Sequence, residues 1–231
     1  MDKRFWFGIN KKTNPFGFGC CQIAGKHSHN NVPNGWGDID ESKTIDILCY
    51  AMENGIDFFD TAQSYNGGKS EELLGNAIKI TGKPVILCTK VPLTNEEVIN
   101  KKIAVEFKKR VELSLNNLQL PYIDILLIHN PPDDIDWKNF NFEILDSLVE
   151  NKIIGTYGVS SRRLKGARNV IENKVGTTLE WVFNIFERRP IKELFPTFDE
   201  NRINFIARSP LSRGLINSKY LKTAPVFDNE D

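Results

Sequence analysis

Short, largely apolar runs alternate with amphipathic helical patterns along almost the whole chain, and that rhythm constrains the fold more than any other feature. The runs lie at residues 15–19, 56–60, 84–88, 123–128, 153–160, 178–183 and 203–207. Between them apolar side chains recur at the helical period, as in Ile45, Leu48, Ala51 and Met52, or Ile103, Phe107, Val111, Leu115 and Leu118. Strand and helix in strict alternation imply parallel strands joined by right-handed crossovers. Strands apolar on both faces fit a sheet covered by helices. The sequence therefore predicts an α/β chain: a TIM-type (β/α)8 barrel that lacks its eighth strand. It forms one domain over residues 1–231, incomplete at its carboxyl end. An open, doubly wound sheet is the main alternative. That fold carries a glycine-rich phosphate loop after its first strand. Here Gly17-Phe18-Gly19 runs instead into Cys20-Cys21-Gln22 and a long polar loop.

Local signals refine the pattern. Phe5 to Ile9, with a polar turn at Asn10-Lys11-Lys12, predicts an N-terminal β-hairpin suited to plug the bottom of a barrel. Asp40 and Ser70 are placed to cap the first two helices. Thr94 and Glu97 have capping-box spacing ahead of the longest helix.

Lys plus Arg and Asp plus Glu are 30 each, so the formal charge is zero and neither nucleic acid nor an anionic membrane is favoured as a partner. No apolar run reaches the roughly 18–20 residues that span a bilayer. The amino terminus lacks the long apolar region of a signal peptide, so a cytosolic location is expected. The four cysteines show no metal-ligand spacing and read as free thiols; no metal is expected.

The polar residues at strand ends carry the chemistry. Asp60, Lys90 and His129 each end a predicted strand, and Tyr65 lies in the loop after Asp60. In a β/α barrel these ends form the functional face. Singly, each has a plainer explanation: a turn cap, a solvated lysine, a structural histidine, a packing tyrosine. Together, at three successive strand ends, they form a proton-transfer set. A lysine ammonium lowers the pKa of a neighbouring phenol, and an aspartate keeps that lysine charged. A histidine supplies a donor where a carbonyl oxygen gains charge. The set can protonate a developing alkoxide but offers no hydride, so a cofactor must supply one.

The stretch Asp60-Thr61-Ala62-Gln63-Ser64-Tyr65-Asn66, with Ser70-Glu71 and Leu74-Gly75 after it, resembles the signature of the aldo-keto reductases. So do Gly35-Trp36-Gly37-Asp38, Ser114-Leu115, Ile123-Asp124-Ile125, Ile128-His129-Asn130-Pro131, Gly158-Val159-Ser160 and the run from Ser209 to Leu215, all in family order. The resemblance implies NADPH-dependent reduction of an aldehyde or ketone, sugar-like or otherwise small, to an alcohol. It assigns Tyr65 as general acid, Lys90 and Asp60 as its tuning pair and His129 as the group that orients the carbonyl. It also implies cofactor contacts from Gly19, Ser160, Ser161, Glu180, Arg208, Ser209, Leu211, Arg213 and Gly214. Ser160 would meet the nicotinamide carboxamide, and the segment from Ser209 to Gly214 would wrap the pyrophosphate.

Several positions depart from the family pattern. Ser161 stands where Asn is frequent, Glu180 near the usual Gln, Arg208 in place of a stacking aromatic, Asn117 in place of Arg and Asn66 in place of Gly. Trp36 is the one obvious aromatic candidate for a substrate wall. Family members continue through an eighth strand and the adenosine-phosphate site, where NADP and NAD are told apart, so NADH stands as an alternative cofactor. A shortened, non-catalytic barrel acting as a binding or regulatory subunit is the second functional reading. A barrel isomerase using the same groups without nicotinamide is a third.

Overall fold

A computed structural model describes residues 2–29, 32–35 and 37–224. Eleven strands are described: β1 Arg4–Trp6, β2 Lys11–Thr13, β3 Phe18–Gly19, β4 His27–His29, β5 Val32–Asn34, β6 Phe58–Asp60, β7 Ile86–Val91, β8 Ile123–His129, β9 Ile154–Ser160, β10 Thr178–Val182 and β11 Asn204–Arg208. The α-helices are α1 Glu41–Glu53, α2 Lys69–Thr81, α3 Asn95–Ile99, α4 Val105–Leu118, α5 Glu143–Glu150, α6 Leu164–Glu172, α7 Pro190–Glu193 and α8 Phe198–Asn201. Seven strands form one sheet in the spatial order β3-β6-β7-β8-β9-β10-β11, every neighbouring pair parallel. Chain order and spatial order agree, so the sheet winds one way and curls as most of a barrel, with no reversal of the doubly wound kind. Among the described residues no eighth strand joins β11 to β3.

Strand alternation sorts the side chains into two sets. Phe59, Leu87, Leu126, Ile128, Val159, Leu179 and Trp181 face outward and are buried under the helices. Phe58, Ile86, Cys88, Ile125, Leu127 and Ile206 face inward and pack on Trp6. Trp6 belongs to the N-terminal hairpin of β1 and β2, which pair antiparallel, and its ring stacks on Phe58 at 4.9 Å. Asn204 locks this plug in place, accepting from Phe7 N at 2.8 Å and donating to Phe7 O at 3.0 Å. The bottom of the barrel is thus closed by apolar side chains, and the same alternation sends the next inward residue of each strand to the open mouth.

Three local expectations need correction. Ser70 does not cap α2. The helix begins at Lys69 behind Gly68, and the buried Ser70 hydroxyl donates to Cys20 O and pairs with Thr61 Oγ1, both at 2.8 Å. The Thr94–Glu97 capping box forms, but it heads the five-residue α3; the long helix α4 starts separately at Val105. The backbone turns between them at Lys101, whose φ of 50° no helix tolerates. The segment expected as a plain polar loop after Cys21 contains the antiparallel pair β4 and β5. Trp36 lies outside the described residues. Asp40 does cap α1, accepting from Lys43 N at 3.2 Å.

Candidate active site

The inward residues at the carboxyl ends of successive strands are Asp60 on β6, Lys90 on β7, His129 on β8, Ser160 on β9, Glu180 on β10 and Arg208 on β11. The register carries them round the mouth together: His129 lies opposite Ser160, and Ser160 opposite Glu180. Tyr65 reaches the same place from the turn after β6. Its approach is set by three consecutive left-handed residues, Asn66, Gly67 and Gly68, with φ of 50°, 62° and 97°. Asn accepts that conformation more readily than most side chains do. Its amide also donates to Ala24 O at 2.9 Å, so the departure from glycine at this position is accommodated.

Lys90 is the hub. Its wholly buried ammonium lies 2.6 Å from Asp60 Oδ1, 2.9 Å from Thr61 O and 3.3 Å from the Tyr65 hydroxyl. A second carboxylate, Glu180, stands 3.3 Å away through Oε2. Glu180 Oε1 accepts from Ser160 Oγ at 2.8 Å, while Oε2 receives no hydrogen bond from the described residues. Tyr65 and His129 meet edge to face, ring centroids 6.0 Å apart. Ser64 Oγ lies 3.1 Å from His129 Nδ1.

The electrostatics follow from this crowding. Burial opposes the charge on Lys90, but Asp60 and Glu180 together outweigh it and hold the ammonium well above its ordinary pKa. Asp60 is pushed up to about 7, first by burial and then by repulsion from Glu180, despite Lys90. Burial also works against the ionised form of Glu180, yet Lys90, Arg208 and the Ser160 hydroxyl hold its pKa below the ordinary value. Tyr65 is a correction to the sequence reading. Its pKa is raised, because burial, Asp60 and Glu180 exceed the downward pull of Lys90. The phenol is therefore kept protonated, as a proton donor must be, and Lys90 limits the rise rather than reversing it.

The structure brings Asp60, Tyr65, Lys90, His129, Ser160 and Glu180 into one cluster. The remaining sequence candidates ring it more loosely. Ser161 is buried and turns its hydroxyl to Arg163 O at 3.0 Å. Arg208 donates to Asn130 Oδ1 at 3.3 Å across the mouth. Ser209, Arg213 and Gly214 have φ of 53°, 53° and 91°, and Leu211 is exposed. Gly19, at the end of β3, is exposed, with open space where a side chain would be. The sequence reading missed Thr61, whose carbonyl grips Lys90, and Ser64, which fixes the histidine. Both sit inside the quoted run from Asp60 to Tyr65, and only the fold shows where they point. It also missed Glu180 as a counter-ion of Lys90, a contact across the barrel interior between strands three apart.

Comparison with known proteins places this arrangement. The model of the Aldo/keto reductase family matches residues 18–231. The aldo-keto reductase YhdN of Bacillus subtilis is 31% identical over 200 residues, which is 85% of this chain and 60% of that protein. The chain thus spans about three fifths of the length of the curated relatives it matches. Among solved structures, the holo form of aldo-keto reductase AKR11C1 from Bacillus halodurans superposes with a TM-score of 0.76 at 26% identity, covering 99% of this chain and 73% of that one. An aldo/keto reductase from Klebsiella pneumoniae in complex with NADP and acetate shares the fold, with a TM-score of 0.73 at 22% identity, covering 97% and 74%. By the family match, which takes in all seven parallel strands and every residue of the Lys90 cluster, this chain belongs to the aldo-keto reductase family.

Proposed function

We propose that the chain reduces an aldehyde or ketone to an alcohol at the Lys90 cluster, using NADPH. One observation carries this reading: a buried phenol, an ammonium and a carboxylate lie in successive contact, Tyr65 to Lys90 at 3.3 Å and Lys90 to Asp60 at 2.6 Å, with a histidine ring beside the phenol. A solved relative was crystallised in complex with NADPH, which supports the choice of cofactor.

The residues present suit such a group. Glu180 Oε2 is buried without a hydrogen-bond donor, and an amide N–H of a bound carboxamide would meet that need. Ser160 and Ser161 stand at the same strand end, on the next strand of the sheet. Arg208 and Arg213 bring positive charge to the mouth, near enough to oppose the rise of the Cys21 thiol pKa, and suit an anionic phosphate. When bound, NADPH supplies the hydride.

The chain's own part is proton handling. Ser64 Oγ lies 3.1 Å from Nδ1 of His129; in the tautomer that carries its proton on Nε2, the serine donates to Nδ1 and Nε2 is left to donate to the carbonyl oxygen. That hydrogen bond grows stronger as the oxygen gains charge. Tyr65 gives its phenolic proton to the alkoxide as it forms. Lys90 lies against the phenolate that results, and Asp60 and Thr61 keep the ammonium from swinging away. The Asp60–Lys90 pair serves proton transfer from Tyr65 rather than stability, since a buried ion pair adds little to folding.

The test is carbonyl-dependent loss of NADPH absorbance by the intact chain over a panel of small aldehydes and ketones. Alcohol should form mole for mole with the NADPH consumed, and Tyr65→Phe should abolish the reaction while its circular dichroism stays unchanged. No consumption with any carbonyl, although NADPH binds, would refute the reading and favour the binding-subunit alternative.

A further inference from the structure

An ammonium has three N–H groups. Those of Lys90 are taken by Asp60, Thr61 and Tyr65, at 2.6, 2.9 and 3.3 Å. Glu180 Oε2, 3.3 Å from the same nitrogen, meets its charge without a hydrogen bond. Two carboxylates therefore face one ammonium, and when both are ionised their charge exceeds its own. Packing does not explain the second acid. A glutamine would fill the same volume and could accept the same 2.8 Å hydrogen bond from Ser160 through its amide oxygen. What the glutamate adds is charge, wholly buried and therefore costly to maintain. The other groups that act on it are Asp60, Arg208 at the half-exposed rim, held by Asn130, and His129 on β8. Arg208 makes no ion pair with it, so with both carboxylates ionised the inner end of the site keeps a surplus negative charge.

We propose that Glu180 makes the site discriminate between the two redox states of a nicotinamide cofactor, binding the oxidised, cationic ring more tightly than the reduced, neutral one. This rests on the cofactor reading given above, in which Ser160 and Glu180 hold the nicotinamide end. The two forms differ there by one unit of positive charge and little in shape, so hydrogen bonding and packing act on both alike. Only a fixed charge separates them. Lys90, Arg208 and the Ser160 hydroxyl keep Glu180 ionised, and at pH 8 Asp60 is ionised as well, so the surplus is fully present.

The test uses the intact chain, titrated at pH 8 with NADP+ and separately with NADPH and followed by tryptophan quenching. The wild type should bind NADP+ the more tightly. Glu180→Gln should reduce that preference by about tenfold or more, since one unit charge is removed from a buried site whose effective dielectric constant is about 20. Glu180→Asp, which keeps the charge, should retain most of the preference. Tighter binding of NADPH by the wild type overturns the proposal even if the glutamine variant does not fold. Equal weakening of both forms in Glu180→Gln marks the residue as structural and overturns it too. In either case the cofactor reading stands, whereas failure of both forms to bind the wild type removes that reading and this proposal with it.

Discussion

The Asp60–Lys90–Glu180 arrangement makes a quantitative prediction about stability and pH. An unfolded aspartate loses its proton near pH 4. In the folded chain Asp60 keeps its proton up to about pH 7, because burial and Glu180 oppose its ionisation. Between those values the folded state binds one more proton than the unfolded state at this residue. Its contribution to stability is therefore fully present below about pH 4 and is lost as pH rises through about 7. The slope is about −1.4 kcal/mol per pH unit, or about 4 kcal/mol across the window. Asp60→Asn removes the titrating group while leaving Glu180 as partner to Lys90, so this fall disappears. Glu180→Gln removes it by another route, because Lys90 then serves Asp60 alone. The assay is urea unfolding at half-unit steps from pH 4.5 to 7.5, comparing each variant with the wild type so that other titrating groups cancel. Parallel stability curves for the wild type and Asp60→Asn would show that one ammonium holds both carboxylates ionised, and would refute the reasoning.

Two further outcomes test the scaffold that holds the site. Gly75→Ala would place a Cβ 2.2 Å from Leu118 O, forcing α2 away from α4. A net loss of about 1 kcal/mol in urea unfolding is expected, since overpacking costs about 1–3 kcal/mol and alanine regains only about 1 kcal/mol in a helix. Asp40→Ala removes the hydrogen bond that caps α1 and should cost about 1 kcal/mol, lowering Tm by about 2–4 °C with the pH profile of the site unchanged.

What the sequence revealed and what it hid have physical reasons. The strand ends were legible because apolar runs bounded by turns locate strands, and the strand period of two then fixes which residues share the inner face. Asp60, Lys90 and His129 follow directly from that arithmetic. Glu180 was legible as a position in the site but not as a partner of Lys90. Their contact depends on how tightly the sheet curls, and no local pattern records that. The raised pKa of Tyr65 was hidden for a related reason: adjacency to a lysine is readable, but the depth of burial that outweighs it is not. The capping box at Thr94 was a true signal attached to the wrong helix, because the break at Lys101 needs a left-handed residue and lysine is no marker of one. The β4–β5 pair escaped because it is polar and carries Pro33, which argues against a strand in the middle of a sheet.

The central claim is that the Tyr65 phenol delivers the proton, and a single-turnover measurement reaches it most directly. The wild type and Tyr65→Phe are each saturated with NADPH, mixed with excess aldehyde, and the loss of NADPH absorbance is timed. The account predicts NADPH binding within about twofold of the wild type and a rate at least about a hundredfold lower in the variant, the scale of a lost general acid. Equal single-turnover rates in the two proteins would contradict it.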